Sequence, residues 1–258
     1  MRRLILEEPY SRAAIWSRRL AIFALAVAGM AAALSRLGAA EPAGALAVLG
    51  ASFVLACLAA LLSASAGVVI WRTGRRGAGV AFVGFLLAAA LLAWPAWYSW
   101  RALSLPTIND VSTDLETPPS FMRSTKALLA RDGATPAPAG EAEREAQRRA
   151  YPEVQPILLD MELTEAYQLA LQTAKARGWR IVDSIAPSVR EGVGHIDAID
   201  KSLFLGLADD IAIRVKPSGN QTRIDIRSAS RIGRHDFGAN AARIKKYATD
   251  VQEQAQAK

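Results

Sequence analysis

Between positions 227 and 240 the chain gathers Arg227, Ser228, Ser230, Arg231, Arg234, Asp236 and Asn240. Guanidinium groups present a fixed fork of donors that fits phosphate or carboxylate oxygens, so several arginines beside hydroxyls suit the binding of an anion. A helix starting at Asp236 would add unpaired N–H groups and positive potential at the same place. The same residues also read structurally: Arg231 and Asp236 close a turn, Gly233 supplies an unusual backbone angle and Asn240 caps a nearby segment.

Other chemistries find less material. A hydrolytic triad needs nucleophile, base and orienting acid to converge; Ser228, Ser230, His195 and His235 are present, but no glycine pattern of a nucleophile elbow surrounds either serine. Two histidines forty positions apart, with the single cysteine far away at Cys57, do not form a zinc ligand set with motif spacing. No phosphate-binding P-loop and no dinucleotide fingerprint occurs, so neither a metal nor a cofactor is expected. An envelope hydrolase acting on an ester or phosphoester stands as the alternative to a binding role, and a structural or assembly factor as a third reading.

The elements that would position these residues begin with three apolar runs, residues 20–34, 43–71 and 78–100, separated by short polar loops. The second has no charged residue in twenty-nine positions and is long enough to span a bilayer with tilt. The first is short, but Arg18, Arg19 and Arg36 can snorkel and extend its usable length. Small residues at 38–40 also resemble a signal-peptidase site before Glu41, a rival to retention that the leader and the two further runs oppose. Ala59, Ser63 and Gly67 form a stripe of small residues on which another helix, or another copy of the chain, could pack.

Charge gives the orientation. The chain carries a formal +7, all of it in residues 1–101, which hold ten Lys and Arg against three acids; residues 102–258 hold twenty-one of each sign. A nucleic-acid partner is therefore not expected. Arg2, Arg3, Arg12, Arg18 and Arg19 in the leader and Arg72, Arg75 and Arg76 in the second loop put eight cations on one side, against Arg36 and Glu41 in the first loop. By the positive-inside rule the N-terminus is cytoplasmic and the C-terminal part lies across the bacterial cytoplasmic membrane, in the periplasm. No ionisable residue interrupts the three runs, which removes most support for a transporter or channel.

Residues 103–258 read as one α+β domain after an anchor of residues 1–102. Residues 105–114 are expected as extended chain laid against the domain. Short helices are expected at 124–130 and 141–150, a strand at 154–159, a helix from an N-cap at Thr164 to Arg177, and strands at 179–184 and 195–199. Ile211, Ile213 and Val215 alternate with polar residues, as do Ile224 and Ile226, and a turn at 217–220 joins the two strands. A hairpin centred between Ser218 and Gly219 places Ile213 opposite Ile224 and Arg214 opposite Arg223, a like-charge pairing that Asp225 and Asp210 on the same face would offset. The last helix, 236–254, buries Phe237, Ala241, Ile244, Ala248 and Val251, with Asp236 as its N-cap. The apolar run at 203–207 is either a buried connection or a loop tip meeting lipid or a partner. The expected fold is an antiparallel sheet of four or five strands carrying two packed helices, preceded by an all-α membrane domain of three helices. Within the outer domain residues 102–213 are net acidic and 214–258 net basic, so the two halves either attract each other or leave a basic face for an anionic partner.

The segments 209–215 and 227–244 resemble the domain of unknown function 1499 family, most specifically in the run Ser230, Arg231, Gly233, Asp236, Gly238, Asn240 and Arg243. Residues 105–114 and 194–198 are similar to its opening and middle segments. The resemblance covers roughly 105–248 and implies domain boundaries without a reaction. The reading that follows is an integral membrane protein that displays a domain for an anionic lipid, a glycan or an envelope protein.

Overall fold

Alternating small residues shape the first unit of the chain. In a computed structural model describing residues 9–188 and 192–257, three helices are long and apolar enough to cross a membrane: α1 Arg12–Arg36, α2 Pro42–Thr73 and α3 Ala78–Ser104. Arg2, Arg3, Glu7 and Glu8 of the leader lie outside the described residues. The first apolar run is thus the core of a longer helix, which reaches back through Arg18 and Arg19. α1 buries Ala14, Ser17, Ala21, Ala24, Ala28, Ala31 and Ser35, and α2 buries Ala45, Leu49, Ser52, Ala56, Ala59, Ser63 and Ala66. Steps of three and four residues keep each stripe on one side of its helix, the spacing of a coiled-coil seam. Ala59 and Ser63 lie in the α2 stripe as expected, but Ala66 continues it and Gly67 points to open space. Pro95 sits inside α3, and the helix runs on to Ser104.

The chain divides into two compact units, Met1–Trp100 with Leu203–Gly206, and Arg101–Ser202 with Leu207–Lys258. The second unit is an α+β domain. Its antiparallel sheet runs β1-β6-β5-β4-β3, where β1 is Asp110–Ser112, β3 Arg180–Ile185, β4 Gly194–Lys201, β5 Ala208–Ser218 and β6 Gln221–Ser230. β2, Ile157–Leu159, lies beside β1 on the outer edge of β6. Two three-residue strands raise the expected four or five to six: part of the extended segment 105–114 is β1, and the strand expected at 154–159 shortens to β2.

The hairpin pairs Ser218 with Gln221, Ile213 with Ile226 and Arg214 with Asp225. Its centre lies between Gly219 and Asn220, one residue beyond the expected position. Gly219 adopts a φ of 62°, the left-handed conformation that a two-residue hairpin turn requires. The shift removes the expected Arg214–Arg223 opposition and replaces it with a salt bridge of 2.7 Å from Arg214 to Asp225.

Strand alternation sorts the sheet into two faces. Ile211, Ile213, Val215, Ile224, Ile226 and Ile196 face α6 (Leu163–Ala176) and α7 (Ala239–Gln256), where Tyr167, Leu169, Ile244, Tyr247 and Val251 complete the core. Tyr247 stacks on Trp179 and donates to the Ala170 carbonyl at 2.9 Å. α6 starts one residue before the expected cap at Thr164, with Glu162 in the cap position and no side-chain cap bond. The opposite face is covered by the segment that includes Phe121 and by α4 (Thr125–Ala130), while α5 (Glu141–Ala150) lies at the β1 edge, where Gln147 accepts from the Ser112 N–H and donates to the Ser112 carbonyl. Ser124 caps α4 by accepting from the Ala127 N–H.

Candidate functional site

Because side chains alternate along β6, Arg227 and Arg231 project to one side of the sheet and Ser228 and Ser230 to the other. The seven residues gathered in the sequence therefore divide into two groups with different partners.

On the face opposite α6 and α7, arginines and aspartates form a layer. Arg227 is buried; its Nε donates to both carboxylate oxygens of Asp110 at 3.0 Å, and its Nη2 to Asp110 at 2.6 Å and to the Ala137 carbonyl at 2.8 Å. Burial pushes the Asp110 carboxyl up, against the pull of Arg227. Arg131 pairs with Asp197 at 2.7 Å, both side chains 2% exposed, and burial likewise raises Asp197. The ring of Phe121 lies between these two arginines, 5.4 Å from the Arg131 guanidinium and 4.8 Å from that of Arg227. Such cation–π contacts replace part of the hydration that buried arginines lose. Arg231 grips Asp210 through Nε and Nη2 at 3.0 and 2.7 Å and also donates to the Ala130 carbonyl. Arg214 and Arg223 share Asp114 and the fully buried Asp225. Asp114 is held below the usual carboxylate range: burial pushes it up, but the N–H and hydroxyl of Thr117 and the two arginines outweigh that.

On the helix face, Ser228 Oγ donates to Asn240 Oδ1 at 2.7 Å and accepts from Arg243 at 3.0 Å. Asn240 Nδ2 donates to Ser230 Oγ and to the Asn109 carbonyl, both at 3.0 Å. Arg243 also pairs with Asp200 at 2.7 Å and Asp209 at 2.5 Å, and burial raises the Asp209 carboxyl. Asp236 accepts from the N–H groups of Gly238 at 2.9 Å and Asn240 at 2.8 Å. It thus caps α7 from two residues before Gly238, whose φ of 78° makes the turn into the helix. Residues 236 and 237 precede the helix rather than opening it.

The histidines stand apart. His195 is the second residue of β4, paired with Arg214, six positions back from Lys201; at 3.3 Å per residue this is about 20 Å from the sheet end where β6 leaves for α7. His235 is in that β6–α7 connection; its Nδ1 accepts from the Phe237 N–H at 3.0 Å and its ring stacks on Phe237. Neither hydroxyl of Ser228 nor of Ser230 is given a histidine partner by these bonds. Among the described residues no three His, Cys, Asp or Glu side chains group as metal ligands.

Arg234 differs from its neighbours. It is exposed, and among the described residues no carboxylate pairs with it; the same holds for Lys201 at the end of β4. The register brings them to one end of the sheet: Lys201 opposes Ala208, Asp209 opposes Ser230, and Asp110 opposes Ala229. Residues 105–109, which lead into β1, lie at that end too, where Asn109 Nδ2 donates to the Gly233 carbonyl at 2.7 Å and the Asp236 N–H to the Ile108 carbonyl at 2.9 Å. A separate cleft of about 290 Å³ is lined by Asp110, Asp114, Glu116, Arg144, Gln147 and Arg227, among others. Sequence reasoning missed the partners Asp110, Asp114, Asp197, Arg131 and Arg243. The signal available for them was the surplus of acids in residues 102–213, balanced by the arginines that follow.

A sheet backed by two helices, its other face packed through arginine–aspartate pairs and its chain preceded by three membrane-competent helices, defines an anchored α+β domain. The chain belongs to the family described as Protein of unknown function (DUF1499), whose model matches residues 110–251. The match takes in β1 through most of α7 and leaves out the three apolar helices. No curated protein matches the chain.

Proposed function

We propose that residues 1–102 anchor the chain in the bacterial cytoplasmic membrane, N-terminus inside, and that residues 103–258 form a periplasmic binding module for an anionic lipid headgroup or envelope component. The observation that carries this reading is the pair of exposed cations, Arg234 and Lys201, at the sheet end where the chain enters the domain. The arginines bordering this end, Arg227, Arg231 and Arg243, are each matched by aspartates, so Arg234 and Lys201 are the cations left over there. Arg231, 22% exposed and bound to Asp210, borders it. Arg227, Ser228, Asp236 and Asn240 then serve the anion site only by holding the strand and the connection in place. The orientation is supported by the charge asymmetry of the loops and by the Ser11 N–H donating to the Arg76 carbonyl, which joins the basic leader to the basic second loop.

The test is binding of a fluorescent short-chain phosphatidylglycerol to the full chain in a neutral detergent. Each surface cation is worth about 1 kcal/mol toward an anionic lipid, so Arg234→Gln and Lys201→Gln are each expected to weaken binding about fivefold, with affinity falling as salt rises. Equal affinity in both variants and no salt dependence would remove the anion reading. The hydrolase reading gains nothing from Ser228, whose hydroxyl proton is directed at Asn240.

A further inference from the structure

The turn between β4 and β5 carries Leu203 and Phe204, 70% and 63% exposed, while Leu205 beside them is buried. Two bonds pin its base, the Ser202 N–H donating to the Leu207 carbonyl at 2.8 Å and the Leu207 N–H to Ser202 Oγ at 2.9 Å, and two more hold its tip to the end of α1, Ser35 Oγ donating to the Leu205 carbonyl at 2.7 Å and the Arg36 guanidinium to the Leu203 carbonyl. Gly206, at a φ of 64°, completes the reversal with a conformation that L side chains rarely adopt. A base fixed in this way presents the two apolar side chains outward as a set feature of the fold rather than as a frayed end. Nor are they isolated. Lys201, at the strand end below the tip, and Arg234, beyond the end of the neighbouring β6, are exposed cations, and Ile232 adds a partly exposed apolar side chain.

Position decides what this surface meets. The register puts the β4–β5 turn, the segment after β6 and residues 105–109 at the same end of the sheet. The third membrane-competent helix is Ala78–Ser104. That helix ends in Trp94, Trp97, Tyr98 and Trp100, side chains that favour the headgroup level of a bilayer. Leu203–Gly206 belong to the same compact unit as the three apolar helices, and their carbonyls are held by Ser35 and Arg36 at the end of α1; an apolar tip beside the end of a membrane-competent helix and flanked by cations has the composition of an interfacial insertion element.

We propose that Leu203 and Phe204 insert into the outer leaflet and give the domain a second, non-covalent attachment to the membrane beside its anchor. The proposal rests on the periplasmic, membrane-facing placement argued above but not on anion specificity, because the tip inserts through apolar area.

The test uses the full chain with Cys57→Ser, so that a single cysteine at Phe204→Cys, at Leu203→Cys or at Ser218→Cys can take an environment-sensitive fluorophore. Ser218 is exposed at the opposite end of the sheet. Each protein is reconstituted in vesicles of phosphatidylcholine alone or mixed with phosphatidylglycerol. Blue-shifted emission at 203 and 204 that is quenched by a lipid-borne nitroxide and not by aqueous iodide, with the reverse at 218, is the expected result. Iodide quenching at 204 equal to that at 218 overturns the proposal, and so does shielding from both quenchers, which would mean that protein covers the tip. Insertion in both lipids together with phosphatidylglycerol binding unchanged by Arg234→Gln would leave insertion standing and remove only the anion reading.

Discussion

Asp225 has no solvent exposure and accepts from Arg214 at 2.7 Å and from Arg223 at 2.8 Å, while both arginines also reach Asp114. In such a buried lattice, removing one acid strands its partners, which costs more than the pair contributes relative to an apolar replacement. Asp114 has the clearest pH signature. Its folded-state pKa is below the ordinary value of 3.8, so its contribution is fully present above 3.8 and is lost as pH falls through the lower folded value. Asp114→Asn is expected to cost roughly 1.5–3 kcal/mol at neutral pH, the range for hydrogen bonds to a charged group. The gap between wild type and variant should close only below pH 3.8, read as exchange protection of β6 amides; a gap already closed at pH 5 would refute this assignment. Asp110, Asp197 and Asp209 act with the opposite sign. Their pKa values are raised by burial, so their contribution is complete below the ordinary value and declines as pH rises through the folded one.

At the scale of elements, close approach between helices depends on what is missing from a side chain. A Cβ on Gly84 of α3 would come within 2.7 Å of Ser17 Oγ and 2.8 Å of the Arg18 backbone nitrogen in α1, while one on Gly67 of α2 would meet nothing within 4 Å. Backbone cannot step aside as a flexible side chain can, so Gly84→Ala should lower the stability of the helical unit by about 1–3 kcal/mol through overpacking. Gly67→Ala should leave it unchanged. Unfolding of the full chain in mixed micelles with rising dodecyl sulfate compares the two, and equal midpoints would count against the packing argument. The sequence made the stripe legible through Ala59 and Ser63 but extended it to Gly67, because a step of four alone does not follow the seam that steps of three and four define. The same kind of error moved the hairpin by one residue. Apolar alternation fixed which side chains share a face, but every shift that preserves the faces satisfies it, and only the Gly219–Asn220 turn and the Arg214–Asp225 pair select one. In the candidate site, alternation along β6 by itself separates Arg227 from Ser228. β1 was not legible as a strand, since three residues carry too little pattern and owe their conformation to pairing with β6, whereas β2 was legible as part of the longer run 154–159.

Across the whole molecule, charge is distributed by segment and by partner. The acids of residues 102–213 and the bases of 214–258 attract each other within the fold, as Arg227 with Asp110, Arg231 with Asp210 and Arg243 with Asp200 and Asp209 illustrate. A domain neutral overall is not held to either side of a membrane by its own charge, so its side is set by the anchor. On the proposed topology, Arg72, Arg75 and Arg76 between α2 and α3 set the side on which residues 103–258 reside. With Cys57 replaced by serine, a cysteine at exposed Ser218 should react with a membrane-impermeant maleimide in intact spheroplasts, and one at Gly74, in the second loop, only after lysis. Replacing Arg72, Arg75 and Arg76 by glutamine while adding lysines beside Glu41 should move the balance toward the first loop and reduce labelling at 218. If position 218 is protected in intact cells carrying the original loops, the domain is cytoplasmic, and the periplasmic binding reading fails whatever the affinity of Arg234 for an anion.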